Sequence, residues 1–293
     1  MATIATFAYA GTYEPDVSVK KIRAGMEEAA RAGADLVVFP ETSLQGYPAV
    51  LTRGDEPDAL RSVYEAAEPL DGPRVAELSG AARDLGVHVI FGMTERGARP
   101  GVVFNTTVLA GPGGVIGTYR KVHVGIGEQV IWSRGNQWPV FDTPLGRVGM
   151  LICYDQAWPE SCRELTLGGA DLLVMSTAWS LRADESSPSD SLSVEQYLLY
   201  GRARAAENQR WFVSSNFTGP LGDLTFFGHS QVIDPLGRVV AESGAAPEQT
   251  TMVLAEIDVR GGIEAAQARS RGARLWRDRR PETYTRVGAP VEA

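Results

Sequence analysis

Two cysteines and three histidines are all that this 293-residue chain carries of those residue types, and the scarcity excludes a good deal. Cys153 and Cys162 cannot build a disulfide framework, and free thiols suit a reducing compartment. The two cysteines are nine positions apart and His88, His123 and His229 show no ligand spacing, so no metal centre is expected. No apolar run approaches the ~20 residues a spanning helix needs. The first residues lack Lys and Arg and reach Tyr13-Glu14-Pro15 before a leader's apolar region could be completed. The expectation is a soluble, cytoplasmic protein with no membrane partner. Basic residues are the minority, 28 against 36 acidic, for a net charge of −8. Such a field repels phosphate backbones, so no nucleic-acid partner is expected. The arginines between Arg269 and Arg280 read as a solvated or salt-bridged face. No G-x-G-x-x-G follows a strand, and Gly111-Pro112-Gly113-Gly114 lacks the terminal Lys of a phosphate loop. No cofactor is implied.

What is present is ordinary globular material, 44% hydrophobic and 22% charged. Short continuous apolar runs alternate with helical periodicity, which predicts an α/β domain with buried sheets covered by helices. One domain is expected over 1–293, with a C-terminal tail from about 262. Strands are predicted at 35–40, 88–93, 103–110, 147–153, 171–177, 211–216, 228–234 and 251–258, and helices at 17–32, 73–85, 159–168 and 193–210. Gly33 closes the first helix, while Gly111 to Gly114 and Asp234-Pro235-Leu236-Gly237 make turns. The polar segment 180–191 reads as a mobile loop between a strand and a helix, placed to cover a pocket.

Three segments end apolar strands with a reactive or charged residue: FPETSLQGYP (39–48), YRKVHVGIGEQVIW (119–132) and GMLICYDQAWPE (149–160). They hold Glu41, Lys121 and Cys153. Each has a plain alternative, since Cys153 fits a core position, Glu41 a turn cap and Lys121 a snorkelling surface site. A Cys–His dyad through His123 or His229 is a further option, although His123 reads better as a hydrogen-bonding support for Lys121. Cys162, on a predicted helix, reads as structural.

Taken together the three segments resemble the nitrilase, or carbon–nitrogen hydrolase, superfamily, whose signature is a Glu–Lys–Cys triad in this chain order. The matching stretches are PETSLQGYP, YRKVH and ICYDQAWPE. The likeness continues through GGADLLVMSTAW (168–179), RARAAENQRWFVSSN (202–216), FFGHSQVIDPLGRVVAESG (226–244) and RRPETY (279–284). The resemblance implies a four-layer α-β-β-α sandwich with two mixed sheets flanked by helices, often paired into homodimers or higher homo-oligomers near helix 159–168. It also implies Cys153 as nucleophile, Glu41 as general base and Lys121 as oxyanion-stabilising cation, with the N–H of Tyr154 assisting. Many members have a second glutamate beside the lysine, and Glu128 is the position that matches.

The implied reaction hydrolyses a small amide through a thioester on Cys153. Tyr154-Asp155 after the cysteine looks like amidase and carbamoylase branches, whereas EQVIW around Glu128 looks somewhat like nitrilases. Nitriles and N-carbamoyl amino acids are therefore alternative substrates. Tyr47, Tyr154, Trp158, Ala178 and Trp179 are the candidate substrate-binding residues, with Trp132 and Trp138 nearby; each Trp has core packing as its alternative. A non-catalytic binding protein is disfavoured because all three triad residues are intact.

Overall fold

The computed structural model describes residues 1–48, 57–125, 127–245 and 249–289. The first sheet is built from β1 (Ala2–Ala8), β2 (Leu36–Val38), β3 (His88–Arg96), β4 (Val103–Gly111), β5 (Gly114–Arg120) and β14 (Thr251–Ile257), in the order β14-β1-β2-β3-β4-β5. The second holds β6 (Val140–Thr143), β7 (Gly146–Ile152), β8 (Leu172–Ser176), β9 (Trp211–Ser215), β12 (Gln231–Ile233) and β13 (Val239–Glu242), in the order β13-β12-β9-β8-β7-β6. A small hairpin pairs β10 (Thr218–Leu221) with β11 (Leu224–Phe227). Each large sheet is mixed: β1-β2-β3 and β7-β8-β9 run parallel, and their outer neighbours run antiparallel. Each expected strand overlaps one of these elements, with β2 and β12 markedly shorter than expected.

Period-two side-chain alternation sorts residues among four layers. In the first sheet Ile4, Leu36, Val38, Ile90 and Leu109 point inward to meet Val148, Met150, Ile152, Leu172, Val174 and Val213 of the second. Their alternates Phe7, Val37, Val89, Phe91 and Val108 face outward onto α1 (Pro15–Arg31) and α3 (Pro73–Leu85), through Val19, Ile22, Met26, Val75 and Leu78. On the far side Leu151, Leu173, Met175 and Phe212 pack against α4 (Pro159–Leu167) and α5 (Leu192–Asn208), through Cys162, Leu165, Val194 and Tyr197. Both faces of both sheets are thus covered, which is why the central strands read as unbroken apolar runs.

Elements outside the sequence-based expectation are α2 (Pro57–Ala66), α6 (Val259–Arg269), β1, and the short strands β5, β6, β10, β11 and β13. The stretch expected as a tail from about 262 opens inside α6, which extends to Arg269 and buries Ile263 and Ala266. Cys162 is fully buried on α4. In the arginine-rich stretch, Arg277 pairs with Asp278 and Arg280 with Glu282. No helix among the described residues is long and apolar enough to cross a membrane.

Candidate active site

Glu41 follows β2, Lys121 follows β5 and Cys153 follows β7, so two sheets deliver their strand ends to one place. Lys121 is fully buried, and its ammonium donates to Glu41 Oε1 at 2.8 Å and to Glu128 Oε1 and Oε2 at 2.8 and 2.9 Å. Glu41 Oε1 also accepts from Asn105 Nδ2 at 2.6 Å, and Oε2 accepts from the Ala178 N–H at 2.9 Å. Glu128 lies on a 3₁₀ turn, Glu128–Val130, where Oε1 accepts from Tyr47 OH at 2.6 Å and Oε2 from the Gly125 N–H at 2.5 Å.

Electrostatics assign a state to each group. Burial works against the Lys121 charge, but Glu128 and Glu41 outweigh it and hold its pKa well above the usual lysine value. Burial also raises both carboxyls; at Glu128 the Lys121 charge and hydrogen bonds from Lys121, Tyr47 and Gly125 reverse the direction, leaving it low and ionised. Glu41 ends above the ordinary carboxylate range, because burial and the Glu128 charge exceed the pull of Lys121. Burial, then the Glu41 charge, push the Cys153 thiol up, so at rest it keeps its proton. Tyr47 is likewise held as a neutral phenol by burial and by Glu128. The result is a neutral thiol near a basic carboxylate and a permanent cation.

Cys153 has φ +47°, a left-handed conformation that non-glycine residues adopt at some cost. It opens a 3₁₀ turn, Cys153–Ala157, and the buried Asp155 carboxylate holds the bend. Oδ2 accepts from the Ile152 N–H at 3.0 Å and Tyr119 OH at 2.7 Å; Oδ1 accepts from the His123 N–H and meets His123 Nδ1, both at 2.9 Å. Arg204 of α5 ties down the far end through the carbonyls of Gln156 and Ala157, at 2.9 and 3.1 Å. Tyr154 is second in this turn, so its N–H has no partner inside the turn.

A cavity of about 720 Å³ reaches Cys153 and Glu128 and is lined also by Tyr47, Tyr154, Ala178 and Trp179, and by Leu181, Arg182, Ser193, Gln196 and Leu224. Residues 180–183 come from the segment expected to be a loop. Its ends are pinned: the Leu181 N–H donates to Thr225 O at 2.9 Å, and Glu185 accepts from the N–H groups of Arg182 and Ser193, each at 2.9 Å.

Two expectations need correction. Trp158 is not among the residues that line this cavity; its ring stacks on His123 at 5.1 Å and 20° and meets the Tyr154 ring edge-on at 5.9 Å. His123 does not bond Lys121, because its ring and its N–H are both engaged by Asp155. A Cys–His dyad loses support, since His229 is likewise paired, with Glu242. Ser161 Oγ also approaches His123 Nδ1, at 3.3 Å, the same nitrogen that faces Asp155, so these three do not form a relay through both ring nitrogens. Trp132 packs on Tyr47, and Trp138 stacks on Tyr119. Asn105 and the structural role of Asp155 went unread in the sequence. The signal for Asn105 was an amide inside the apolar run of β4.

Among the described residues no group of His, Cys, Asp and Glu could hold a metal ion. A family model described as carbon-nitrogen hydrolase matches residues 3–267. The chain is 32% identical over 254 residues to a probable nitrilase of Schizosaccharomyces pombe, covering 86% of this chain and 87% of that one. It is 31% identical over 258 residues to the 2-oxoglutaramate amidase of Bacillus subtilis, covering 87% and 90%. Among solved structures, a mutant amidase from Nesterenkonia sp. AN1, captured after Michael addition of acrylamide at its active site cysteine, aligns with a TM-score of 0.72. That pair is 26% identical over 96% of this chain and 98% of the other.

Proposed function

Since the chain belongs to the carbon–nitrogen hydrolase family, we propose that it hydrolyses a small amide to a carboxylic acid and ammonia, with Cys153 forming a thioester. The observation that carries this reading is the Lys121 ammonium, bonded to Glu41 and Glu128 at 2.8 Å beside a cavity into which Cys153 opens. A charge so buried would be unfavourable without partners, and two carboxylates keep it fixed where negative charge develops.

As the Cys153 sulfur attacks the amide carbon, its proton passes to Glu41 and the carbonyl π pair moves onto oxygen. That oxyanion is stabilised by the Lys121 charge and the N–H of Tyr154. Collapse re-forms the carbonyl and breaks the C–N bond, and the departing nitrogen takes the proton from Glu41. A water then gives a proton to Glu41 and attacks the thioester; the thiolate leaves with that proton, and the carboxylic acid departs. The raised pKa of Glu41 suits both halves, being basic enough to take a proton and acidic enough to return it. Tyr154, Trp179, Leu181 and Leu224 offer an apolar wall for the acyl group.

The nitrilase similarity favours nitriles as a second substrate class. The experiment is ammonia release from amides, N-carbamoyl amino acids and nitriles, beside Cys153→Ala, with intact-mass detection of an acyl adduct. Ammonia from amides, lost in the mutant, supports the proposal; ammonia only from nitriles moves it to the second class. Undiminished turnover by Cys153→Ala refutes the thioester route.

A further inference from the structure

The two oxygens of the Glu41 carboxylate are not equivalent. A carboxylate offers about two in-plane acceptor sites on each oxygen. Oε1 has both occupied, by Lys121 Nζ at 2.8 Å and Asn105 Nδ2 at 2.6 Å. Among the described residues Oε2 takes a single donor, the Ala178 N–H at 2.9 Å, and so keeps one site open.

Asn105 is placed for this by β4. Its side chain is fully buried, and its main-chain oxygen accepts the Lys121 N–H at 2.9 Å, so one residue fixes the backbone of the cation and the side chain of the acid. The amide nitrogen must face Glu41, because an oxygen there would oppose a carboxylate. The consequence is a buried Oδ1 with no partner among the described residues. Leaving a buried acceptor unmade is unfavourable, and a leucine of similar size would avoid it while keeping the main-chain bond. What the leucine could not do is donate to Oε1.

We propose that Asn105 is a positioning residue that makes Glu41 a one-sided base: with Lys121 it fills Oε1, so Oε2 is the oxygen that takes the Cys153 proton and returns it. In the transfer the S–H bond breaks, an Oε2–H bond forms, and the sulfur pair goes to the electrophile. Burial, the largest influence on Glu41, drives its pKa up, and the Asn105 donation works the other way. Losing the donor therefore raises the pH at which the carboxylate is available, and it frees Oε1 to compete for the proton.

This rests on the hydrolase reading above, so its test includes a measurement that needs no amide substrate. Cys153 is alkylated with iodoacetamide across pH in the wild type, Asn105→Leu and Glu41→Gln, and ammonia release is followed on whichever substrate the wild type uses. For Asn105→Leu we expect an acidic limb of alkylation displaced upward by about one pH unit. We also expect kcat to fall by about tenfold or more while KM changes less than about threefold. Glu41→Gln abolishes the limb. An Asn105→Leu protein with the wild-type limb and kcat overturns the proposal. If that variant does not fold, Asn105→Ser, too short to reach Oε1, is read the same way; failure of both to fold makes Asn105 structural and also overturns it. Absence of ammonia from every wild-type assay refutes the amide reading alone, since the alkylation limb reports on Glu41 and Asn105 regardless.

Discussion

Gly92 of β3 underlies the turn that carries Glu41. Its N–H donates to Pro40 O and its carbonyl accepts from the Leu44 N–H, each at 3.1 Å, so two backbones lie in direct contact. A Cβ at this position would fall 2.3 Å from Thr42 N, 2.6 Å from Pro40 O and 2.7 Å from the carbonyl carbon of Glu41. All three are main-chain atoms and cannot swing aside. Ordinary contact begins at 3.4 Å, so Gly92→Ala must displace the Glu41 turn by about 1 Å, and misplacement on that scale costs about 100-fold in rate. Overpacking adds about 1–3 kcal/mol of destabilisation, or a Tm fall of roughly 2–5 °C at this chain length. Gly113→Ala is the control, because a Cβ there meets nothing within 4 Å. The assays are kcat for ammonia release and thermal melting. A Gly92→Ala enzyme with wild-type kcat would refute the claim that this contact sets the position of the base.

Two other predictions follow from the charges. Glu128→Gln leaves Lys121 with one carboxylate, and breaking a buried pair in this way costs about 3 kcal/mol, read from denaturant unfolding. Because the Glu128 charge raises the pKa of Glu41, the same variant moves the acidic limb of kcat/KM to lower pH, opposite in sign to Asn105→Leu; an unmoved limb counts against the coupling. In the wild type, activity rises with pH as Glu41 loses its proton, and burial places that limb above the usual glutamate value of about 4.3. A pH profile still flat down to pH 4 would exclude Glu41 as the base.

The sequence was most legible where burial is two-sided. β2, β7, β8 and β9 are buried at almost every position and stand out as unbroken apolar runs, whereas β5 and β13 are largely exposed and left little pattern. The helix α6 leaves little pattern because its first turns carry Gly261 and Gly262, poor helix formers that pack beneath Asp258 and Trp211. Glu41, Lys121 and Cys153 could be singled out because each interrupts or ends an apolar run. Lys121 is also one of only three lysines, with Lys20 and Lys21, in a chain that otherwise uses arginine. Asn105 and Asp155 acquire their roles only through partners 64 and 36 positions away, which local pattern does not reveal. The same limit explains His123: two positions from Lys121 in sequence, it is claimed by a carboxylate from the other sheet.

The division of the site between sheets has a physical cost that the fold meets with hydroxyl groups. Glu41 and Lys121 come from the first sheet and Cys153 and Ala178 from the second, so the distance between base and thiol depends on how one sheet lies on the other. The apolar layer between them supplies most of the cohesion but is non-directional and would tolerate sliding. Hydroxyl-to-carbonyl bonds are not tolerant in that way. Thr6 donates to Ser214 O at 2.7 Å, Ser215 to Phe7 O at 2.7 Å and Ser176 to Phe39 O at 2.9 Å. The last joins the end of β8, two residues before Ala178, to the strand end two residues before Glu41. From there the Ala178 N–H to Glu41 Oε2 bond is a short extension of the same register. Buried serines and threonines at strand ends, unremarkable one at a time, thus set the position of the acid against the thiol, and the site's geometry is a property of the sheet-to-sheet register rather than of any one strand.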